Sequence, residues 1–479
     1  STGSGAVVHA ATGSAAAPPR TAVLTAAHVV ADARFLQVQR STDRYSGEKF
    51  EARVVAVCHD ADLALLEVGD PRALEEVPPM EVALAGELPH VFDKVRVVGY
   101  PVGGDACSVT EGVVSRVEVQ EYSHSLRAGL ALTVDAAINS GNSGGPLVDV
   151  VTGRVVGVAF QKMVARGVEL QGHAVPAPII QRFLEEVAAA GAPGGPGAAA
   201  RRQPVSLRMP SLRCDYQPLE PRALRRYLRL GDRAGVLVSR MHEAEATGQP
   251  SLQRGDVLLE FNGHRLDEHG FCQLLGRRLH FAAARDLCPV GARVPVSVWR
   301  DGKEVVLQQT LQPADHLVPR GQFDVRPRFF VCGGLVFQNL SHEYLQGWSA
   351  HDRPAHLQEL FRRGHLTPER REAVMISQIL ADSVNAGYDS GWVGAPIVRA
   401  VNGEAVRDLA HLVGTVRRAR ERALASAGGD ADPSFLVFDV DMSTGPFVIA
   451  LPMEDLGGAD ERVRAVYGLP ASLCSEHYA

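Results

Sequence analysis

One serine held among three glycines, Gly141-Asn142-Ser143-Gly144-Gly145-Pro146, forms the centre of the run DAAINSGNSGGPL over 135–147. Glycine takes backbone conformations that a side chain forbids and lets another chain segment approach closely. Such a bend can expose a hydroxyl while aiming backbone N–H groups at one point, the arrangement acyl transfer needs for a nucleophile and its oxyanion. Asn, Ser, Gly and Pro also build ordinary turns, but apolar strand-like runs flank this one on both sides. The amides of Gly141, Asn142 and Ser143 are the candidate oxyanion donors. A serine is a weak nucleophile unless a base, itself oriented by a third group, removes its proton. His28, in LTAAHVV, ends an apolar run behind small residues that leave room for an imidazole. Asp62, in HDADLALLEV, opens an apolar run, and a carboxylate held toward the interior there needs a partner. Asp60 competes for that role; Asp62 is preferred because it adjoins the strand.

The elements that must position these residues are mostly strands. GAVVHA, TAVLTAAHVV, RFLQVQR, FEARVVAV and the text from Lys94 to Val119 read as short strands, as do 130–134, 147–150, 154–160 and 173–176. A helix is expected only at 179–190. Many short strands at close spacing predict an all-β barrel or sandwich over 1–187. AAAGAPGGPGAAARRQ, within 188–204, is a linker without a core-forming pattern.

His28, Asp62 and Ser143 in that chain order on a β-rich chain resemble a trypsin-like serine protease, with two β-barrels carrying the triad at their junction. More closely, LTAAHVV, DADLALL, GYPVGGD, EGVVSRVE, DAAINSGNSGGPL and GHAVP are similar to the motifs of the HtrA/Deg family of ATP-independent proteases, and VVGYPVGGDACSVTEGVVSRVEV to its plant Deg branch. The resemblance implies a serine endopeptidase acting on unfolded or damaged proteins. It places the primary specificity pocket around Gly172, His173 and Ala174, and it implies homotrimers that can pair into hexamers. His173 replaces the family's usual aromatic. The family carries another strand and a trimer-forming segment ahead of STGSG that this sequence lacks.

From 205 to 316, RAGVLV, LQRGDVLLEFNGHRL and VPVSVWRDGKEVVLQQTL give strands with bends at Asn262-Gly263 and Asp301-Gly302. They resemble a PDZ domain, whose amide turn takes a ligand carboxylate and whose next strand pairs with the peptide. That assigns peptide binding to Gly235, Val236, Leu237 and Val238. From 317 to 479 the chain is similar to the divergent second PDZ domain of plant Deg proteases. Gly333-Gly334 there reads equally as a ligand loop or a bulge. The apolar Phe329, Phe330, Leu335, Val336 and Phe337 around it suggest an assembly surface, and 353–371 reads as a charged, solvated insertion. The fold class is thus mainly β: a trypsin-like double barrel, then two α+β PDZ-like domains.

Length bounds this reading. The 479 residues, 46% hydrophobic, allow roughly three domains. A net charge of −6 without a Lys/Arg block argues against a nucleic-acid footprint. Seven scattered cysteines without a CxxC pair suit a reducing intracellular compartment, the chloroplast or nucleus for a plant or algal Deg relative. No apolar run has membrane-spanning length, and STGSGAVV is not a signal peptide. There is no P-loop, Rossmann turn or metal-ligand cluster, so neither a cofactor nor a metal is implied. The rival reading is a PDZ-based chaperone or scaffold carrying a latent or inactive protease domain.

Overall fold

Alternation of apolar and polar side chains over short runs makes strands the commonest elements of this chain. The computed structural model describes every residue except 1, 11–19, 41–46, 102–105, 163–170, 192–202, 243–250, 350, 389–393, 427–434 and 476–479. The chain divides into two units, Ser1–Ala314 and Asp315–Ala479.

The first unit begins with β1 (Ala6–Ala10), β2 (Arg20–Thr25), α1 (Ala27–Val30), β3 (Leu36–Gln39), β4 (Lys49–Cys58) and β5 (Leu63–Val68). Their strands pair in the order β1-β2-β5-β4, with β3 also on β4. β6 (Lys94–Gly99), β7 (Ser108–Glu121), β8 (Ala128–Val134), β9 (Pro146–Asp149), β10 (Val155–Lys162) and β11 (Gly172–Pro176) close into a barrel. Val95, Val97, Leu130, Leu132 and Leu147 fill it. The first sheet stays open among the described residues, whereas the second closes. A shared core joins the two: Leu24, Leu63 and Leu65 from one, Val158 and Val175 from the other, and Ile179, Ile180 and Phe183 of α2 (Ala177–Ala189). Each fully buried side chain of this kind contributes about 1.5–3 kcal/mol. β12 (Val205–Ser206) then pairs in parallel with β4, and Met209 enters the same core. Val205–Met209, expected to open the first PDZ-like domain, thus adds a strand to the first sheet and a side chain to this core.

β13 (Pro210–Ser211), β14 (Cys214–Pro218), α3 (Arg222–Tyr227), β15 (Val236–Met241), β16 (Val257–Phe261), β17 (His264–Arg265), β18 (Phe271–Leu274), β19 (Arg277–His280), α4 (Phe281–Asp286), β20 (Arg293–Arg300), β21 (Lys303–Thr310) and β22 (Gln312–Pro313) follow. The main sheet runs β14-β15-β16-β20-β21. Asn262-Gly263 and Asp301-Gly302 make the expected bends, each with two positive φ values. This domain is tied to the barrel by a buried charge. Asp286 at the end of α4 pairs with Arg127 before β8 and with Arg285, and Arg182 of α2 donates to the Asp286 and Cys288 carbonyls. Burial alone would raise the Asp286 pKa, but the Arg127 and Arg285 guanidinium groups hold it below its usual value.

The second unit contains β23 (Phe329–Cys332), β24 (Leu335–Asn339), α5 (His342–Gln346), α6 (Ala355–Arg363), β25 (Val374–Ile379), β26 (Ile397–Val401), β27 (Glu404–Ala405), α7 (Leu409–Ser426), β28 (Phe435–Met442), β29 (Gly445–Pro452) and α8 (Met453–Tyr467). Its sheet runs β23-β24-β25-β26-β28-β29. Phe330, Leu335 and Phe337 lie inside its own core with Val413 and Phe438. They do not form the assembly surface expected, because α7, unread in the sequence, covers that side of the sheet within the same chain. The 353–371 stretch does contain a helix, α6, but its Leu357 is buried with Leu345 and Met375 rather than solvated.

No described helix is long and apolar enough to cross a membrane. None of the seven cysteines is paired.

Candidate active site

His28 lies on the single turn of α1, directly after Thr25, Ala26 and Ala27, whose small side chains are buried. Asp62 ends a 3-10 turn over His59–Ala61 in the left-handed conformation, φ 53°. Aspartate tolerates that region better than most residues, and it turns the carboxylate back toward α1. One carboxylate oxygen accepts the His28 backbone N–H at 2.8 Å; the other lies 2.7 Å from His28 Nδ1. The Asp62 side chain is completely buried and that of His28 is 30% exposed. Asp60 points elsewhere: its carboxylate accepts from Arg208 Nε at 3.0 Å and the Met209 N–H at 2.9 Å. The structure thus separates the two aspartates by partner.

Ser143 is half-buried between β8 and β9. Its loop abuts the segment carrying His28. A Cβ on Gly144, φ 84°, would lie 2.2 Å from Thr25 Oγ1 and 2.9 Å from Ala26 N, so only glycine permits the approach. No hydrogen bond joins His28 Nε2 to Ser143 Oγ among the described residues; such contacts often tighten only with substrate bound. The Asn142 N–H donates to the Asn139 carbonyl at 2.9 Å. Asn142 is therefore removed from the expected oxyanion donors, its amide being spent on the turn. Among the described residues the Gly141 and Ser143 amides have no protein acceptor.

The candidate specificity residues separate by strand alternation. Ala174 faces the closed barrel beside Leu132, and Gly172 lies under Ile138, whose Cδ1 would be 2.3 Å from a Cβ there. His173 faces the other way with Val175. It is buried against Phe160, with Nδ1 3.2 Å from Thr133 Oγ1. His173 thus does not share the face of Gly172 and Ala174. Ile138, in DAAIN three residues before Gly141, is the apolar side chain that the sequence reading missed.

Two further histidines gather near His28. His59 Nδ1 is 2.9 Å from His124 Nε2, and the His124 ring centroid is 6.1 Å from that of His28. Burial pushes the His124 pKa down to about 4, against the pull of Asp62. The unfolded chain takes up this proton near pH 6.5, so between about pH 6.5 and 4 it binds more protons than the folded one. Stability therefore falls as pH drops through that window. His280, pushed to about 4 by burial, adds to the same fall. Urea-unfolding free energies should decline across the window, and His124→Gln should make the decline shallower. An unchanged slope would contradict the assignment.

The expected peptide site at Gly235, Val236, Leu237 and Val238 is corrected. β15 pairs with β14 on one edge (Leu237↔Gln217) and with β16 on the other (Leu237↔Val257), so it has no open edge. A Cβ at Gly235 would lie 2.3 Å from the Leu258 carbonyl, so that glycine serves packing. Among the described residues the sheet ends in β14 on one side and β21 on the other, and β14 is the edge beside α4. Its Tyr216 ring stacks on His280 and meets Phe281 of α4 edge-on. In the second unit, Gly333 and Gly334 form neither a ligand loop nor a bulge but a tight hairpin turn joining β23 to β24. The Gly333 N–H is taken by the Asp460 carboxylate at 2.7 Å. β23 covers the edge of β24, and 473–475 hydrogen-bonds to β23 in turn.

Among the described residues no group of three or more His, Cys, Asp or Glu side chains converges to hold a metal. The paired sheets, the His28–Asp62 contact and the glycine-held Ser143 loop define a trypsin-like serine protease domain, and the Trypsin-like peptidase domain family matches 3–158. The PDZ domain family matches 318–473. The chain belongs to the Do-like (Deg) serine proteases. It is 32% identical over 392 residues to "Protease Do-like 4, mitochondrial" of Arabidopsis thaliana, covering 81% of this chain and 68% of the relative. It is 30% identical over 459 residues to "Protease Do-like 2, chloroplastic" of the same plant, covering 95% and 69%. Another Arabidopsis relative is spanned over 64% of its length, so the chain spans about two thirds of these proteins. Among solved structures, "HtrA-type protease AlgW with decapeptide" is 22% identical with a TM-score of 0.45, over 65% of this chain and 83% of that one.

Proposed function

We propose that this chain is an ATP-independent endopeptidase that cuts unfolded or damaged proteins, with Ser143 as nucleophile, His28 as base and Asp62 as its orienting group. The observation that carries this is the two-point grip of Asp62 on His28 beside the Ser143 loop. Ser143 attacks the scissile carbonyl while His28 takes its proton and later gives it to the leaving amine. Asp62 holds the imidazole in its working tautomer and stabilises the imidazolium. The Gly141 and Ser143 amides receive the oxyanion, a contribution of roughly 100- to 1000-fold per donor. A scaffold with an inactive protease domain has no use for this arrangement.

Cleavage follows small and medium apolar residues. The barrel-facing residues of this stretch meet apolar neighbours, Gly172 under Ile138 and Ala174 beside Leu132, and the buried His173 faces away. Casein products mapped by mass spectrometry should carry mainly Val, Ala, Leu or Ile before the cut. A majority of Lys/Arg or Asp/Glu there would overturn the specificity, and no cleavage at all would overturn the peptidase.

The first PDZ-like domain captures extended peptide by strand addition at β14, facing α4. An unpaired strand edge supplies the main-chain donors and acceptors this mode requires. A benzophenone-bearing peptide irradiated with full-length Ser143→Ala protein should crosslink within 214–218 or 280–286. Adducts confined to 257–261 or to the second unit would refute it. The trimers and hexamers implied by the family resemblance belong to the same proposal and are read by light scattering.

A further inference from the structure

Ser4 lies on the segment ahead of β1 and is buried, 6% exposed. Its hydroxyl donates to the Gly141 carbonyl at 2.6 Å and accepts the Tyr100 N–H at 2.8 Å. Its own N–H donates to the Ser143 carbonyl at 2.8 Å, and its carbonyl accepts from Thr25 Oγ1 at 2.7 Å. Four hydrogen bonds from one small residue thus tie together β2, the end of β6 and the nucleophile loop. His28 follows Thr25 by three positions, so the same residue connects the segment of the base to the loop of the nucleophile.

From this geometry we infer that Ser4 is a positioning residue for the oxyanion hole; the inference rests on the peptidase reading above. The Ser143 N–H belongs to the peptide linking Asn142 to Ser143. Ser4 grips the peptide before it, through the Gly141 carbonyl, and the peptide after it, through the Ser143 carbonyl. Gly141, at φ 100°, has the conformational freedom to leave this arrangement. The Ser4 hydroxyl opposes that freedom by holding the Gly141 carbonyl while the Asn142 N–H closes on Asn139. There is no slack for a substitute contact. A Cβ on Gly99 would lie 2.8 Å from Ser4 Oγ, and one on Gly145 would lie 3.2 Å from Ser4 Cβ. Ser4→Ala leaves the Gly141 carbonyl without this donor and the Tyr100 N–H without this acceptor.

The test compares wild-type, Ser4→Ala and Ser4→Cys full-length protein on a chromogenic Val-containing peptide amide and with a peptide aldehyde, whose Ser143 adduct places an oxyanion in the hole. Ser4→Ala should lower kcat about 100-fold, the scale of one oxyanion donor. KM should stay within about twofold, and the aldehyde Ki should rise with the loss in kcat, because the aldehyde adduct resembles the transition state. Ser4→Cys, similar in size but a weaker donor, should fall between. Thermal melting reports the folded fraction, and if Ser4→Ala does not fold, Ser4→Cys decides the matter. A folded variant with kcat within about threefold of wild type, or with kcat lost but aldehyde affinity unchanged, overturns the role of Ser4. The wild-type rate in the same assay tests the peptidase reading separately.

Discussion

Replacing Ser143 by alanine is expected to abolish peptide-bond cleavage while leaving the fold intact. Removing a triad serine costs on the order of 10⁶ in kcat, and what survives over water comes from oxyanion stabilisation and binding. The side chain itself makes no hydrogen bond among the described residues that alanine would break. The Ser4, Thr25 and Ala159 contacts of its loop are made by backbone atoms or by other side chains. Circular dichroism and melting should therefore match wild type. Substantial casein cleavage by the purified variant would move the nucleophile elsewhere.

The second large effect separates the two aspartates. Asp62→Asn should lower kcat by about 10⁴, because an amide no longer enforces the imidazole tautomer that accepts the serine proton. Asp60→Asn should leave kcat within a few fold, since its carboxylate holds Arg208 and the Met209 amide rather than His28. Single-turnover rates on one peptide substrate give the comparison. The reverse ranking would place Asp60 in the triad.

The three residues proposed as the triad stand out in the sequence because their signals are local. A serine among glycines, a histidine behind small residues and an acid at the mouth of an apolar strand each announce themselves within a few positions. The Asn-Gly and Asp-Gly bends were readable for the same reason. Contacts that join distant segments were not. Ser4 reaches Gly141 across 137 positions, and nothing near Ser4 marks it. The open edge at β14 was hidden because CDYQP, with its charge and proline, does not look like a strand. Without that strand, Val236–Val238 reads as an edge when it is central. His173 is a different case. Strand alternation over Gly172–Val175 separates it from Gly172 and Ala174, so the signal was present and its weight was misplaced. The spent Asn142 amide depends on how the loop closes on Asn139, which composition does not encode.

The most direct test of the central claim is covalent labelling of the full-length wild-type chain with a fluorophosphonate, followed by mass-spectrometric location of the adduct. A serine activated by His28 and Asp62 attacks phosphorus at neutral pH, whereas an ordinary hydroxyl does not. The expected result is a single stoichiometric adduct on Ser143 that disappears in His28→Ala protein. No adduct, or one on another residue with Ser143 untouched, would contradict the assignment of this chain's activity to the His28–Asp62–Ser143 site.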